Sequence, residues 1–293
     1  MINFRYHVVS IIGIFIALAV GVVLGAGPLQ RTINAGVNPS SSQVSSDPQL
    51  VAQADAEAAG LKALAASTLS GSLTGSQIAL VVMPGASDDD VAAIRSTLTD
   101  AGASIVGRVT LSENWQSTSM SQYRTTLSTT LASHLESGAA KTASADGVVG
   151  YSIVQVLTST GSETDLLRQI LTDKSTPLMT IDEDPAGTAT TLVAVGPRAQ
   201  TGATDTSVSP SPDAWSGLAL AVGSTSGVLV GDASSRDAMI SKVRSSATQV
   251  TTVDSVGTTL ACVSTALALS QKSAGAHAYG VGNGAQSVLP TVK

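Results

Sequence analysis

The sequence predicts an α/β protein in which a single N-terminal transmembrane helix precedes a doubly wound domain with a mainly parallel sheet. Three observations carry this. Residues 8–27 contain no charged side chain and are almost wholly Ile, Val, Leu, Ala, Phe and Gly. Past residue 76, short unbroken apolar runs such as Ile78-Ala79-Leu80-Val81-Val82-Met83 read as strands buried on both faces. Between those runs lie segments with helical spacing, and helices that alternate with strands build a parallel sheet covered on both sides.

Composition narrows the function. Charged residues make up 12% of the 293, about half the usual share, and the polar balance falls to Ser, Thr and Gly. A formal charge of −6 excludes the clustered Lys and Arg that a nucleic-acid surface needs. It also gives no general attraction to anionic lipid. Cys262 is the only cysteine, so no intrachain disulfide can form. Its neighbours Leu260, Ala261 and Val263 predict that it is buried.

Residues 1–31 read as a membrane anchor. The apolar run is long enough to cross a bilayer as a helix and longer than a signal-peptide core. Gly25-Ala26-Gly27 matches a cleavage site only weakly, so an uncleaved anchor is expected. Arg5, with His7, flanks the short N-terminal side and Arg31 the other. The lean is N-terminus in, which makes the rest of the chain extracytoplasmic, a single-pass protein of the cell envelope. Gly13, Ala17, Gly21 and Gly25 recur every four residues and place a stripe of small side chains on one helix face. Such a stripe lets a second helix approach closely, which predicts a homo-oligomer or a membrane-protein partner.

Residues 32–76 read as a linker with a short helix. Residues 34–46 are Ser, Asn, Gly and Pro with little to bury. Residues 49–69 then form a helix in which Leu50, Ala54, Glu57, Leu61, Leu64 and Thr68 follow 4-3-4-3 spacing. That seam is too poor for a long coiled coil.

Residues 77–274 form the α/β domain. After the strand at 78–83, Ser87 is placed to cap a helix whose first turn is Asp88-Asp89-Asp90. Val91, Ile94, Leu98 and Ala101 keep helical spacing, and Gly102 ends it. Residues 105–111 supply the next strand and complete a βαβ unit. Helices are expected at 127–135, 147–157 and 165–171, and strands at 178–181 and 191–195. A polar loop follows at 201–212. Then come a helix at 215–222, a strand at 227–230, a helix at 235–243, a strand at 250–253 and a helix at 258–269. Residues 275–293 read as a Gly-rich tail, flexible or used for docking. Its Gly280-x-Gly282-x-Gly284 lacks a preceding strand and a following helix, so it is no dinucleotide fingerprint. Trp115 and Trp215 are expected as core or interface anchors.

Two sets of residues are candidates for metal chemistry. Asp88, Asp182 and Asp232 head acidic turns that follow predicted strands, where doubly wound folds bind ligands and where a divalent cation would take oxygen ligands. An acidic first helical turn that complements the macrodipole explains the first equally well. His277, near Tyr279, is the best placed imidazole for copper. His7, His134 and His277 are scattered, and no H-x-x-x-H, C-x-x-C or M-x-x-M spacing occurs. No nucleophile, base or Lys accompanies the carboxylates, so the chain is expected not to be an enzyme. The alternating ten-residue strands of a membrane β-barrel are not found either.

Several stretches resemble the actinobacterial copper-transport outer-membrane protein family, MctB. They are Arg5-Tyr6-His7-Val8-Val9-Ser10, residues 17–25, Asp88-Asp89-Asp90, Thr252-Val253-Asp254 and the tail from His277 to Ala285. The sequence departs at residues 34–69, where the family usually carries a charged heptad helix. The resemblance implies copper transport or copper homeostasis across the actinobacterial envelope, with copper as the implied ion. An envelope scaffold or regulator of cell-wall assembly, acting through a membrane partner, is the alternative. Metal-dependent hydrolysis ranks third.

Overall fold

The chain folds around seven strands: β1 (Gln77–Val82), β2 (Ser104–Leu111), β3 (Met179–Glu183), β4 (Thr191–Val195), β5 (Val228–Val230), β6 (Thr251–Val253) and β7 (Ala278–Tyr279). They form one sheet in the order β3-β2-β1-β4-β5-β6-β7. All neighbours pair in parallel except β2 and β3. This computed structural model describes residues 48–185, 187–199, 209–246, 248–271 and 275–291. The apolar run 8–27 with Gly13, Ala17, Gly21 and Gly25 lies outside the described residues. No helix among the described residues is long and apolar enough to cross a membrane. Residues 52–293 form one unit, to which the rest of this account applies.

The unbroken apolar runs have a simple cause. Successive strand residues point to opposite faces, and here both faces are covered. Ala79, Val81 and Met83 enter one core, while Ile78, Leu80 and Val82 enter the other. Leu192 and Ala194 divide from Val193 and Val195 in the same way. Each such buried branched side chain contributes about 1.5–3 kcal/mol relative to exposure.

The first core is covered by helices α3 (Ser121–His134), α4 (Ala145–Thr158), α5 (Ser162–Leu171), α6 (Pro212–Gly223) and α7 (Met239–Ser245). The second is covered by α2 (Asp88–Asp100), α8 (Thr259–Gln271) and the last turns of α1 (Pro48–Leu69). Trp115 is fully buried as an anchor of the first core, and half-buried Trp215 packs against it with its indole N–H donated to Gln116 Oε1 at 3.3 Å. Arg124 on α3 is buried completely, with Nε 2.5 Å from Asp146 Oδ1 and Nη1 donating to Ser117 O at 2.7 Å.

Four features differ from the sequence reading. Ser87 stands at the N-cap of α2, but its side chain makes no capping bond; its carbonyl takes the Asp90 and Val91 N–H groups instead. Strand β3 runs antiparallel at the sheet edge. Ser112 donates from its backbone to Leu178 O and from its hydroxyl to Pro177 O, so the chain re-enters beside the carboxyl end of β2 and must run back. Helix α7 starts at Met239 rather than 235, because Asp232 and Ser234 close a turn first. The segment read as a flexible tail supplies β7.

Candidate functional site

In a parallel sheet of this kind, ligands gather at the carboxyl edge, at the point where strand order reverses. Here that point lies between β1 and β4, whose following loops carry Asp90 and Arg198. Asp90 is buried at the start of α2, and Arg198 grips it with both arms: Nε to Oδ2 at 2.7 Å and Nη2 to Oδ1 at 2.5 Å. Bidentate pairing of this type is among the stronger polar contacts in proteins. It raises the Arg198 pKa, first through the hydrogen bond to Asp90 and then through its charge. Gly257 closes the other side of the guanidinium. A side chain there would start 2.4 Å from Arg198 Nε, at a φ of +86°.

The other acidic turns are neutralised in the same way. Arg108 on β2 bridges two of the candidate ligands, with Nη2 3.1 Å from Asp88 and Nε 3.3 Å from Asp182. Thr110 adds a hydroxyl to Asp182 at 2.6 Å. Arg95 pairs with Glu183, and Arg168 with Asp184 at 2.7 Å. Asp232 turns inward on its own loop, accepting from the Ser234 N–H at 2.8 Å and hydroxyl at 3.1 Å. It follows β5, three strands from β2, a separation of roughly 14 Å at the usual inter-strand spacing. Asp88 and Asp182 therefore share an arginine, and Asp232 does not join them.

The structure places His277 at the amino end of β7, the opposite edge of the sheet from these turns. Its ring stacks on Tyr279, centroids 5.8 Å apart, and its carbonyl accepts the Thr252 N–H. His134 pairs with Glu163 through Nδ1 at 2.6 Å. Cys262 on α8 is buried, and burial pushes its thiol pKa up. Among the described residues, no three or more His, Cys, Asp or Glu are grouped so as to hold a metal ion.

The most heavily bonded polar group on this edge is Asp254, which follows β6 and is 1% exposed. Its Oδ1 accepts from the Ser255 hydroxyl at 2.7 Å and the Val281 N–H at 2.8 Å. Its Oδ2 accepts from the Gly282 N–H at 2.9 Å and from Arg244 Nη1 at 2.9 Å. Burial alone would push this carboxyl up, but the four donors outweigh it and hold it below the usual carboxylate range. Arg244 reaches on to the carbonyls of Tyr279 and Asn283, both at 2.8 Å. Gly280 has a φ of +128°, and a Cβ there would lie 2.0 Å from Asp254 Oδ1. The glycines that resembled a phosphate loop thus serve a carboxylate of the protein itself. Sequence reasoning missed Arg108, Arg198, Arg244 and Asp254 as organising residues. The one available signal was the scarcity of cations, 15 Lys and Arg in all.

Comparison with known proteins places this architecture. The profile of the family described as "Copper transport outer membrane protein, MctB" matches residues 1–290. The chain belongs to that family. It is 29% identical over 123 residues to the copper transporter MctB of Mycobacterium bovis, and equally to that of Mycobacterium tuberculosis. Those alignments span 39% of this chain and 39% of each relative, well under half of either length. The MctB family match, by contrast, runs to residue 290 and takes in both Asp254 and the tail strand that it holds.

Proposed function

We propose that this MctB family member is a membrane-anchored, non-catalytic protein of the cell envelope that takes part in copper transport and copper homeostasis. The family match over residues 1–290 carries this reading, and relatives named copper transporters support it. Copper enters as cargo. The carboxylates of the exposed turns are engaged by arginines, so the α/β domain works as a stable extracytoplasmic module, and the membrane path is assembled from several copies or from a partner. The small-residue stripe Gly13, Ala17, Gly21 and Gly25 supports that assembly. It equally supports the second reading, an envelope scaffold that acts on cell-wall assembly through a membrane protein.

The test is copper accumulation and copper tolerance in a strain lacking the gene, complemented by the wild-type chain or by Gly21→Leu with Gly25→Leu. A copper role predicts altered copper content in the deletion, restored by the wild type and not by the double variant. Unchanged copper content and tolerance, with altered cell-wall assembly, would overturn the copper reading in favour of the scaffold. Crosslinking from native membranes with mass spectrometry then identifies the partner.

A further inference from the structure

Helices α1, α2 and α8 leave a void where they meet over the second core. The side chains at their junction are small, among them Ala65, Ala66, Ala93 and Cys262, and between them lies a partly open cavity of about 340 Å³. Protein interiors pack like organic crystals, with few voids larger than a water molecule. A space of this size matches small-ligand pockets, which run from roughly 300 to 1,000 Å³. It also adjoins the sheet's switch point, for its wall includes Asp90, Arg198 and Gly257.

The lining specifies a chemistry. The floor is apolar and buried: Leu69, Ala101, Cys262 and Val263. The rim is charged. Arg198 neutralises Asp90, which leaves Lys62 against Asp89 and Asp100, two carboxylates to one ammonium. An anion meets a net negative rim, and a purely apolar molecule leaves the rim carboxylates without a counter-charge. We propose that this cavity binds a small organic ammonium ion, its apolar body over Cys262 and its head toward Asp89 and Asp100. This inference is independent of the copper reading.

Cys262 supplies the reporter, because it is the chain's only thiol and lies on the cavity floor. The full chain in nanodiscs of neutral phosphatidylcholine is alkylated with N-ethylmaleimide in the presence of 3-phenylpropylammonium. The same-shaped 3-phenylpropanol and 3-phenylpropanoate are run beside it, and each probe is also titrated calorimetrically. The ammonium ion is expected to protect Cys262 saturably and to bind about tenfold tighter than the alcohol, the effect of one net unit charge a few ångströms away at the protein boundary. The carboxylate is expected to bind more weakly than either. Ala93→Leu, at an exposed position on the wall, fills the space and should abolish protection. Asp89→Asn with Asp100→Asn leaves the space intact and should remove only the ammonium ion's advantage. No saturable protection, equal protection by all three probes, or full protection in Ala93→Leu would each overturn the proposal.

Discussion

Replacing Asp254 with Asn keeps the shape of the side chain but halves what it can accept. The carboxylate takes four hydrogen bonds, two on each oxygen, from Ser255, Val281, Gly282 and Arg244. The amide retains one oxygen for two of these donors and turns an NH2 group toward the other two. Breaking one side of a buried ion pair costs about 3–5 kcal/mol. Arg244 softens the loss because it keeps the Thr252 hydroxyl and two carbonyls as acceptors. The loss also has a ceiling. Strand β7 is held to β6 by only two residue pairs, Thr252 with Ala278 and Val253 with Tyr279, so the segment after β7 can peel away before the rest unfolds. The expected result is therefore loss of hydrogen-exchange protection at the Val281 and Gly282 amides, with a fall of about 3 kcal/mol or less in global stability. The pH dependence has a definite sign. A carboxyl held below its unfolded value stabilises fully above the ordinary range near pH ~4 and loses that contribution as pH falls through its lowered folded value. Wild-type tail amides should stay protected at pH 5 and lose protection only in stronger acid, whereas Asp254→Asn should show no such transition. Unchanged amide protection in the variant, with a denaturation midpoint equal to wild type, would refute the reasoning.

Further predictions test other joints. Gly280→Ala forces a Cβ onto Asp254 and should release the same tail amides by hydrogen exchange, whereas Gly138→Ala, where nothing lies within 4 Å, should leave them alone. Asp146→Asn leaves the fully buried Arg124 charge unpaired and should cost about 3–5 kcal/mol in denaturant unfolding. The double change Asp146→Asn with Arg124→Met should cost less than that single change, since no uncompensated charge remains. Arg108→Gln, which frees the exposed Asp88 and partly exposed Asp182, should cost under about 1 kcal/mol by the same assay.

The strands of the central sheet were legible because burial on both faces leaves no room for polar alternation, and β1, β4 and β5 are written as continuous apolar runs. Strand β7 was not legible, because two residues carry no period. What fixes it is a set of side-chain to backbone bonds from Asp254 and Arg244, residues that look like ordinary surface charges in the sequence. The direction of β3 was hidden for a related reason: apolar spacing marks a strand but not which way the chain enters it. The acidic turns were visible, and their partners were not. Arg95 and Glu183 stand 88 residues apart, and no local pattern announces a pairing at that distance. Reading the turns as ligands and reading them as halves of ion pairs predict the same letters. Only the arrival of the arginines separates the two.

Those arginines also explain how a sheet with the strand order of nucleotide-binding folds has its first site closed to nucleotides. In such folds the helix after β1 points its unpaired N–H groups and positive end at a phosphate. Here the first turn of that helix is Asp88-Asp89-Asp90, so the protein's own carboxylates occupy the field. Asp90 is held there by Arg198 from the far side of the crevice, which cross-links the loops after β1 and β4 across the place where a ligand would part them. The same device recurs after β6, where Asp254 and Arg244 join the loop to the chain's last strand. Three negative charges at α2 would repel a phosphate, and the bidentate pair would have to break to admit one. Doubly wound architecture is a frame that says nothing of function by itself. In this chain the frame's usual anion site has been converted into a structural brace, and the space left for small molecules lies beside it, under an acidic rim and between the helices.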